Sequence, residues 1–371
     1  MSANETREGG SRRARAMFWS AVVIVVLTVS LPLTGYLATG TGAVAETGTG
    51  AFTEEQATNP RSDTWRGVRG GEEGFTTSTG PYTSGVLISN IGENWRQLRE
   101  GPIKTAGGVV LGLAVLALAA VYLLRGPIRL ENGRSRYWIP RWNSVQRAAH
   151  WVTAITFILL AVTGLSLLYG RHVVAPLLGD AGFAAYAEVA MYVHNFVGPV
   201  FALALVVLIA TVIRYNAPKA YDLQWLKQGG GLFGGHPPAG RANAGEKGYF
   251  WLGPVLLGTV VVITGLILVF PQFGQGRELM AWSHVFHALG GLFFMALVLG
   301  HAYLGTIGQE GVFETMATGK ADLNLVREHH PVWYEELQAQ GMEPQPYVRG
   351  EVLGSAVEGP GGEEQARGGT G

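Results

Sequence analysis

The sequence predicts an all-α integral membrane protein: a four-helix transmembrane bundle with one additional N-terminal transmembrane helix, preceded by a signal peptide. Three observations predict it. The 371 residues carry only 15% charged side chains, zero formal net charge and a positive mean hydropathy, a balance unlike that of an ordinary soluble domain. Six stretches approach the roughly 20 apolar residues that a spanning helix needs. Five of the nine histidines fall in those stretches, and four of them pair at matched depths. The chain has no cysteine, which excludes a disulfide scaffold, a Cys-ligated zinc and a thiolate-held iron–sulfur cluster. It also lacks a basic stripe or motif for nucleic acid. Any redox metal must use His, Met or carboxylate ligands.

The first stretch, Met17 to Leu37, follows Arg12, Arg13 and Arg15 and leads to Ala43-Val44-Ala45. A basic start, an apolar core and an A-x-A end read as a secretory signal peptide over residues 1–45. An uncleaved anchor is the alternative; the small, polar residues that follow favour cleavage after Ala45. Residues 46–103 are rich in Gly, Thr, Glu and Asn and lack a long apolar period, as expected of an extracytoplasmic extension. Within it, Trp65 and Trp95 either dock a partner or rest on the membrane surface. Residues 104–139 supply the additional span, Lys104–Leu124, and a cytoplasmic linker. Residues 140–336 hold the four-helix core, with spans near 148–169, 192–213, 249–270 and 280–304, and residues 337–371 form a polar tail.

Charge orients these spans. Arg125, Arg129, Arg134, Arg136, Arg141 and Arg147 separate the second and third stretches; Arg214, Lys219, Lys227, Arg241 and Lys247 separate the fourth and fifth. The intervening loops at 170–191 and 271–279 hold only Arg171 and Arg277 as Lys or Arg. Positive loops stay inside, so 104–124 runs inward, 148–169 outward, 192–213 inward, 249–270 outward and 280–304 inward. The C-terminus is cytoplasmic, in a bacterial inner membrane. Residues 46–103 then lie outside, as a cleaved signal also requires.

Ionisable groups within a membrane are costly and usually functional. On this topology His194 and His287 lie near the outer face, and His150 and His301 near the cytoplasmic face. His287 and His301 are fourteen residues apart, about 21 Å and nearly four turns of one helix, so they face broadly one way. For any single histidine, a hydrogen bond to a neighbouring helix is the simpler reading. Four, paired by depth on three helices, point instead to two stacked b-type haems, each iron taking one imidazole from each of two helices. Gly164, Gly198-Pro199, Gly265 and Gly290-Gly291 allow close approach of a macrocycle or of another helix. His284, one turn before His287, is a rival ligand nearer the aqueous edge.

The stretches Arg147-Ala148-Ala149-His150-Trp151, His194-Asn195-Phe196-Val197-Gly198, Asn243-Ala244-Gly245-Glu246-Lys247, His287-Ala288-Leu289-Gly290-Gly291, His301-Ala302-Tyr303 and His329-His330-Pro331-Val332-Trp333-Tyr334 resemble, in order and spacing over about 140–336, the gamma, cytochrome b subunit of membrane-bound formate dehydrogenases. The resemblance implies His194 and His287 as ligands of an outer haem iron and His150 and His301 of an inner one. It implies a quinone pocket lined by Asn243 and Gly245 and bordered by His301. Glu246 stands where many relatives have Gln, which replaces an amide contact with a carboxylate able to take up protons. Without the resemblance, Asn243-Ala244-Gly245 reads as a helix N-cap and turn.

The implied role is an electron-transfer subunit without formate chemistry of its own, partnered by an iron–sulfur (beta) and a catalytic (alpha) subunit, with quinone as acceptor and membrane lipid around it. Related cytochromes b serve hydrogenases and other respiratory reductases, in which only the donor changes. From other classes, a transporter with histidine proton relays or a haemless anchor would show no haem spectrum.

Overall fold

The computed structural model describes residues 61–70, 72, 74–79, 84–231 and 235–347; the proposed signal peptide and the end of the polar tail lie outside the described residues. Five helices are long and apolar enough to cross a membrane: Ile91–Arg125, Ser144–Val173, Ala175–Tyr215, Ala244–Val269 and Arg277–Gly308. They coincide with the second to sixth stretches expected from sequence, each longer than its apolar core.

The extension is more structured than its composition suggests. Helix α1 (Arg61–Gly70) precedes an antiparallel hairpin of β1 (Gly74–Thr79) and β2 (Ser84–Ile88). Helix α2 (Ile91–Leu98) then runs through a π turn at Arg99–Ile103 into α3 (Lys104–Arg125). Pro102 explains the π turn: its ring removes an i→i−4 bond, and a wider turn keeps the helix continuous. Pro254 does the same at Trp251–Leu257, between α7 (Ala244–Phe250) and α8 (Gly258–Val269).

The remaining long helices are α4 (Ser144–Val173), α5 (Ala175–Val212) and α9 (Arg277–Tyr303), the last continuing as a π turn at Leu304–Gly308. The loop expected at 170–191 is mostly helix. Gly179, at φ 69° and ψ 172°, breaks α5 near its start, and the Ala-rich run after it resumes the helix. Short α6 (Ala220–Lys227) lies between α5 and α7.

The chain divides into two compact units. The first comprises 1–119, 148–213 and 249–300. One of its apolar clusters gathers Phe201, Leu205 and Phe294, with Phe157, Leu160, Val261 and Val298 around them; another gathers Ile103, Val285 and Leu292, with Trp95 and Tyr169. Many other large apolar side chains on these helices face outward, Leu116, Ile158, Val206 and Leu256 among them, as a lipid-facing surface requires.

The second unit comprises 120–147, 214–248 and 301–371. It contains β3 (Tyr137–Pro140), α10 (Val312–Thr318), β4 (Lys320–Asp322), α11 (Leu323–His329), α12 (Pro331–Ala339) and β5 (Gln345–Pro346). The sheet order is β4-β3-β5, all antiparallel, over a core of Ile139, Ala321, Leu323, Val326, Trp333 and Leu337. Part of the expected polar tail therefore folds here: α12 runs to Ala339 and β5 pairs with β3. Buried carboxylates pin the turn that leads into β3. Glu328 accepts from the backbone N–H of Glu131 at 2.9 Å and Asn132 at 3.0 Å, and Asp322 accepts from that of Ser135 at 2.9 Å while capping α11.

Candidate functional site

His194 on α5 and His287 on α9 come together, with ring centroids 6.0 Å apart and planes at 77°. Each is held from a neighbouring helix by a threonine. Thr163 of α4 gives its hydroxyl proton to the Leu159 carbonyl at 2.8 Å, so its oxygen faces Nδ1 of His194, 2.9 Å away, as an acceptor. Thr264 of α8 likewise donates to the Val260 carbonyl at 2.6 Å and lies 3.1 Å from Nδ1 of His287. That Nδ1 is also 3.0 Å from the Val261 carbonyl oxygen, which can only accept. Both Nδ1 atoms therefore carry the proton, and both Nε2 lone pairs are left for a metal. Neither Nε2 has a hydrogen-bond partner among the described residues.

Glycine makes room for both rings. A Cβ at Gly164 would sit 3.2 Å from Cε1 of His194, and one at Gly265 would sit 3.0 Å from Cε1 of His287. The closeness of the two imidazoles fits a shared metal centre. Two metal–imidazole bonds of about 2.0–2.1 Å each bring a pair of rings to a spacing on the order of 6 Å. The 6.0 Å found here is close to that spacing.

His284 is placed elsewhere. Its ring meets Trp95 of the extension at 5.3 Å, and Arg99 lies over the same indole at 5.8 Å. His150 is the seventh residue of α4, against Trp151 at 5.3 Å, and His301 stands two residues before the end of α9.

Asn243 caps α7 reciprocally with Glu246. Its Oδ1 accepts from the Glu246 N–H at 2.9 Å, and Glu246 Oε2 accepts from the Asn243 N–H at 2.9 Å. This is the capping arrangement that the residues suggest without the family resemblance. It leaves the Asn243 amide nitrogen without a protein acceptor among the described residues. Gly245 is exposed and has Trp225 of α6 beside it: a Cβ there would lie 3.0 Å from the indole and 3.2 Å from Asn243 Oδ1. Glu246 Oε1 also accepts from Arg141 at 3.2 Å.

Arg141, which the sequence marks only as a topogenic charge, is the buried hub beside this loop. It donates to Nε2 of His330 at 3.0 Å and to the Arg241 carbonyl at 2.9 Å, and stacks near Trp142 and Trp333 at 5.5 and 5.6 Å. Nδ1 of His330 donates to the Gly240 carbonyl at 2.8 Å. With both nitrogens committed, His330 is held neutral; burial first, and the Arg141 charge second, push its pKa down from 6.5 to about 3. Between these values the unfolded chain takes up a proton that the folded unit excludes. Stability is therefore full above pH 6.5 and falls as pH drops toward 3, by up to about 1.4 kcal/mol per pH unit. Burial shifts His329 the same way. Thermal unfolding should show an acid-side loss between pH 6.5 and 5.5 that His330→Gln reduces; an unchanged slope in that variant would contradict this assignment.

Residue type alone does not mark the two threonines either; their one signal is that Thr-Gly-Leu recurs at 163–165 and 264–266. Replacing Thr163 or Thr264 with Val should weaken metal retention at this pair by about 10–100-fold. Loss of bound haem during dialysis against an apo-haem-binding protein would measure it.

Residues 141–319 match the family model described as prokaryotic cytochrome b561. Over that segment the chain is similar to the prokaryotic cytochrome b561 family. The matched segment contains all four candidate histidines, and the likeness to a cytochrome b family fits b-type haem and electron transfer in a multi-pass inner-membrane protein. Among curated relatives, the cytochrome b556(Fdn) subunit of nitrate-inducible formate dehydrogenase from Escherichia coli K12 is 27% identical over 206 residues, covering 54% of this chain and 92% of the relative. The cytochrome b556(fdo) subunit of formate dehydrogenase from the same strain is 24% identical over 210 residues, covering 55% and 96%. The formate dehydrogenase cytochrome b556 subunit of Haemophilus influenzae is 23% identical over 205 residues, covering 53% and 83%.

Proposed function

We propose that this chain is the cytochrome b subunit of a membrane-bound formate dehydrogenase, carrying electrons from an iron–sulfur partner subunit to quinone. The observation that carries the reading is the His194–His287 couple, 6.0 Å apart with both Nδ1 atoms restrained by threonine. In this reading His194 and His287 hold the outer haem, and His150 and His301 hold an inner one. A b haem at each level supplies a one-electron centre. The chain's part is to present neutral imidazoles of one tautomer, to keep water from the outer pair, and to hold it on rigid helices.

Quinone reduction is assigned to the cytoplasmic loop before α7. The Asn243 amide has donors left over for a quinone carbonyl, since only its oxygen is used in the cap. Gly245 keeps the backbone accessible beside Trp225. Glu246, bound to Arg141 and to the Asn243 N–H, shapes the loop and offers a carboxylate for proton uptake from the inner face. Moving negative charge inward across the bilayer costs roughly 2.3 kcal/mol per charge per 100 mV, which a low-potential donor such as formate can drive. The C-terminus is cytoplasmic in this arrangement, and formate oxidation belongs to the catalytic partner.

Asn243→Asp separates the two duties of that residue, because aspartate keeps the capping oxygen and loses the amide donors. Haem content should be unchanged while reoxidation of the reduced chain by quinone slows about tenfold, the worth of one hydrogen bond. Unaltered reoxidation kinetics would count against the pocket. Recovery of the intact complex, with a formate-oxidising subunit identified by mass, tests the donor; a hydrogen-oxidising partner would replace it.

A further inference from the structure

Helix α6 is amphipathic the wrong way round for water. Its inward face carries Asp222, whose carboxylate binds Lys247 Nζ at 2.7 and 2.8 Å, and Tyr221, with the same ammonium 5.0 Å from its ring. Trp225 is on that face too, packed at Gly230 and Gly245. The outward face carries Leu223 and Leu226, each 59% exposed, one turn apart. A helix of a water-exposed loop would turn these leucines in and the carboxylate out.

Charge completes the pattern. Lys219 precedes the helix and Lys227 ends it, both exposed, and Arg214 lies just upstream. The one acidic side chain of α6 is occupied by Lys247, so among the described residues of α6 the exposed side chains include Leu223 and Leu226, the cation Lys227 and the neutral Gln224. The helix begins five residues after the Ala175–Tyr215 span ends, which keeps it beside the bilayer whatever else the loop does.

We propose that α6 is an interfacial helix seated in the cytoplasmic leaflet, with Leu223 and Leu226 in the acyl-chain boundary and Lys219 and Lys227 on anionic phospholipid headgroups. Apolar burial and cationic attraction at one leaflet are the combination by which such helices select anionic membranes. The neighbouring spans already anchor the chain, so the lipid contact only has to orient the helix. Because Trp225 and Asp222 tie the helix to Gly245 and Lys247, its seat also holds the start of α7 at leaflet depth. The inference stands on the membrane topology and is independent of what the loop binds.

The absence of native cysteine makes the test direct. Single cysteines at Leu223, Gln224 and Leu226 in the full chain are nitroxide-labelled and reconstituted in vesicles of phosphatidylglycerol and phosphatidylethanolamine. Collision with dissolved oxygen, which concentrates in acyl chains, is compared with collision by a water-soluble nickel chelate. Labels at 223 and 226 should favour oxygen several-fold over the label at 224. That preference should shrink when Lys219→Glu and Lys227→Glu are combined, or when phosphatidylcholine replaces the anionic lipid. Preferential nickel access at 223 and 226 would overturn the proposal, and so would protection of both positions from both reagents, the mark of a protein partner.

Discussion

Replacing His287 with Ala should strip the chain of half its b haem and abolish electron entry from the partner subunit. The imidazole on α9 is one of two groups that meet at 6.0 Å, and its removal leaves His194 facing an empty position. The remaining ligand cannot recruit His284, which is held against Trp95 of the extension. The proposed inner couple, His150 and His301, contains neither residue, so a haem held there should remain and still be reducible by a small chemical donor. His194→Ala should give the same result, because the pair acts as a unit. Absorbance of the reduced purified chain and its reduction by formate in the assembled complex are the two readouts. Retention of all haem in either variant would refute the pairing.

Arg141→Ala should have the largest effect on stability, a loss of about 3 kcal/mol in the unit that holds it. Arg141 is 5% exposed and simultaneously serves His330, the Arg241 carbonyl and Glu246. Its removal strands an acceptor on the His330 ring and leaves the Glu246 carboxylate without its cation, while the cation–π contacts with Trp142 and Trp333 are lost. Arg141→Lys should recover little, since one ammonium cannot span the three acceptors that a planar guanidinium reaches. Chemical or thermal unfolding monitored at Trp333, with haem absorbance followed in parallel, would measure the change; a loss within about 0.5 kcal/mol of wild type would place the network on the surface class of polar contacts.

Much of this architecture can be read from the residues, because membrane crossing is a local property. A run such as Val109–Leu124 or Val200–Ile213 needs no knowledge of its neighbours to be recognised. Basic residues between runs orient them, and histidines at matched depths follow from that orientation. The pairing of His194 with His287 is the one long-range contact that depth alone delivers. Thr163 and Thr264 do not stand out, because a threonine in an apolar helix is ordinary and its contact lies 31 or 23 residues away. Only the recurrence of Thr-Gly-Leu on α4 and α8 signals it. The second unit was invisible for a different reason. Its sheet joins Tyr137–Pro140 to Lys320–Asp322 and to Gln345–Pro346, segments too short for strand periodicity and separated by most of the membrane core. The roles of Arg141 and His330 follow from that closure and from nothing nearby in sequence. At Asn243 the two sequence readings are compatible: the oxygen caps α7 and the amide nitrogen is left over.

The most direct test of the account is the haem-to-chain ratio of the purified full chain, expressed with ample haem and read by pyridine haemochrome against quantitative amino-acid analysis. Two b haems per chain are expected, falling to one when either His194 or His287 is replaced. A colourless chain, or a ratio that these replacements leave untouched, would contradict it.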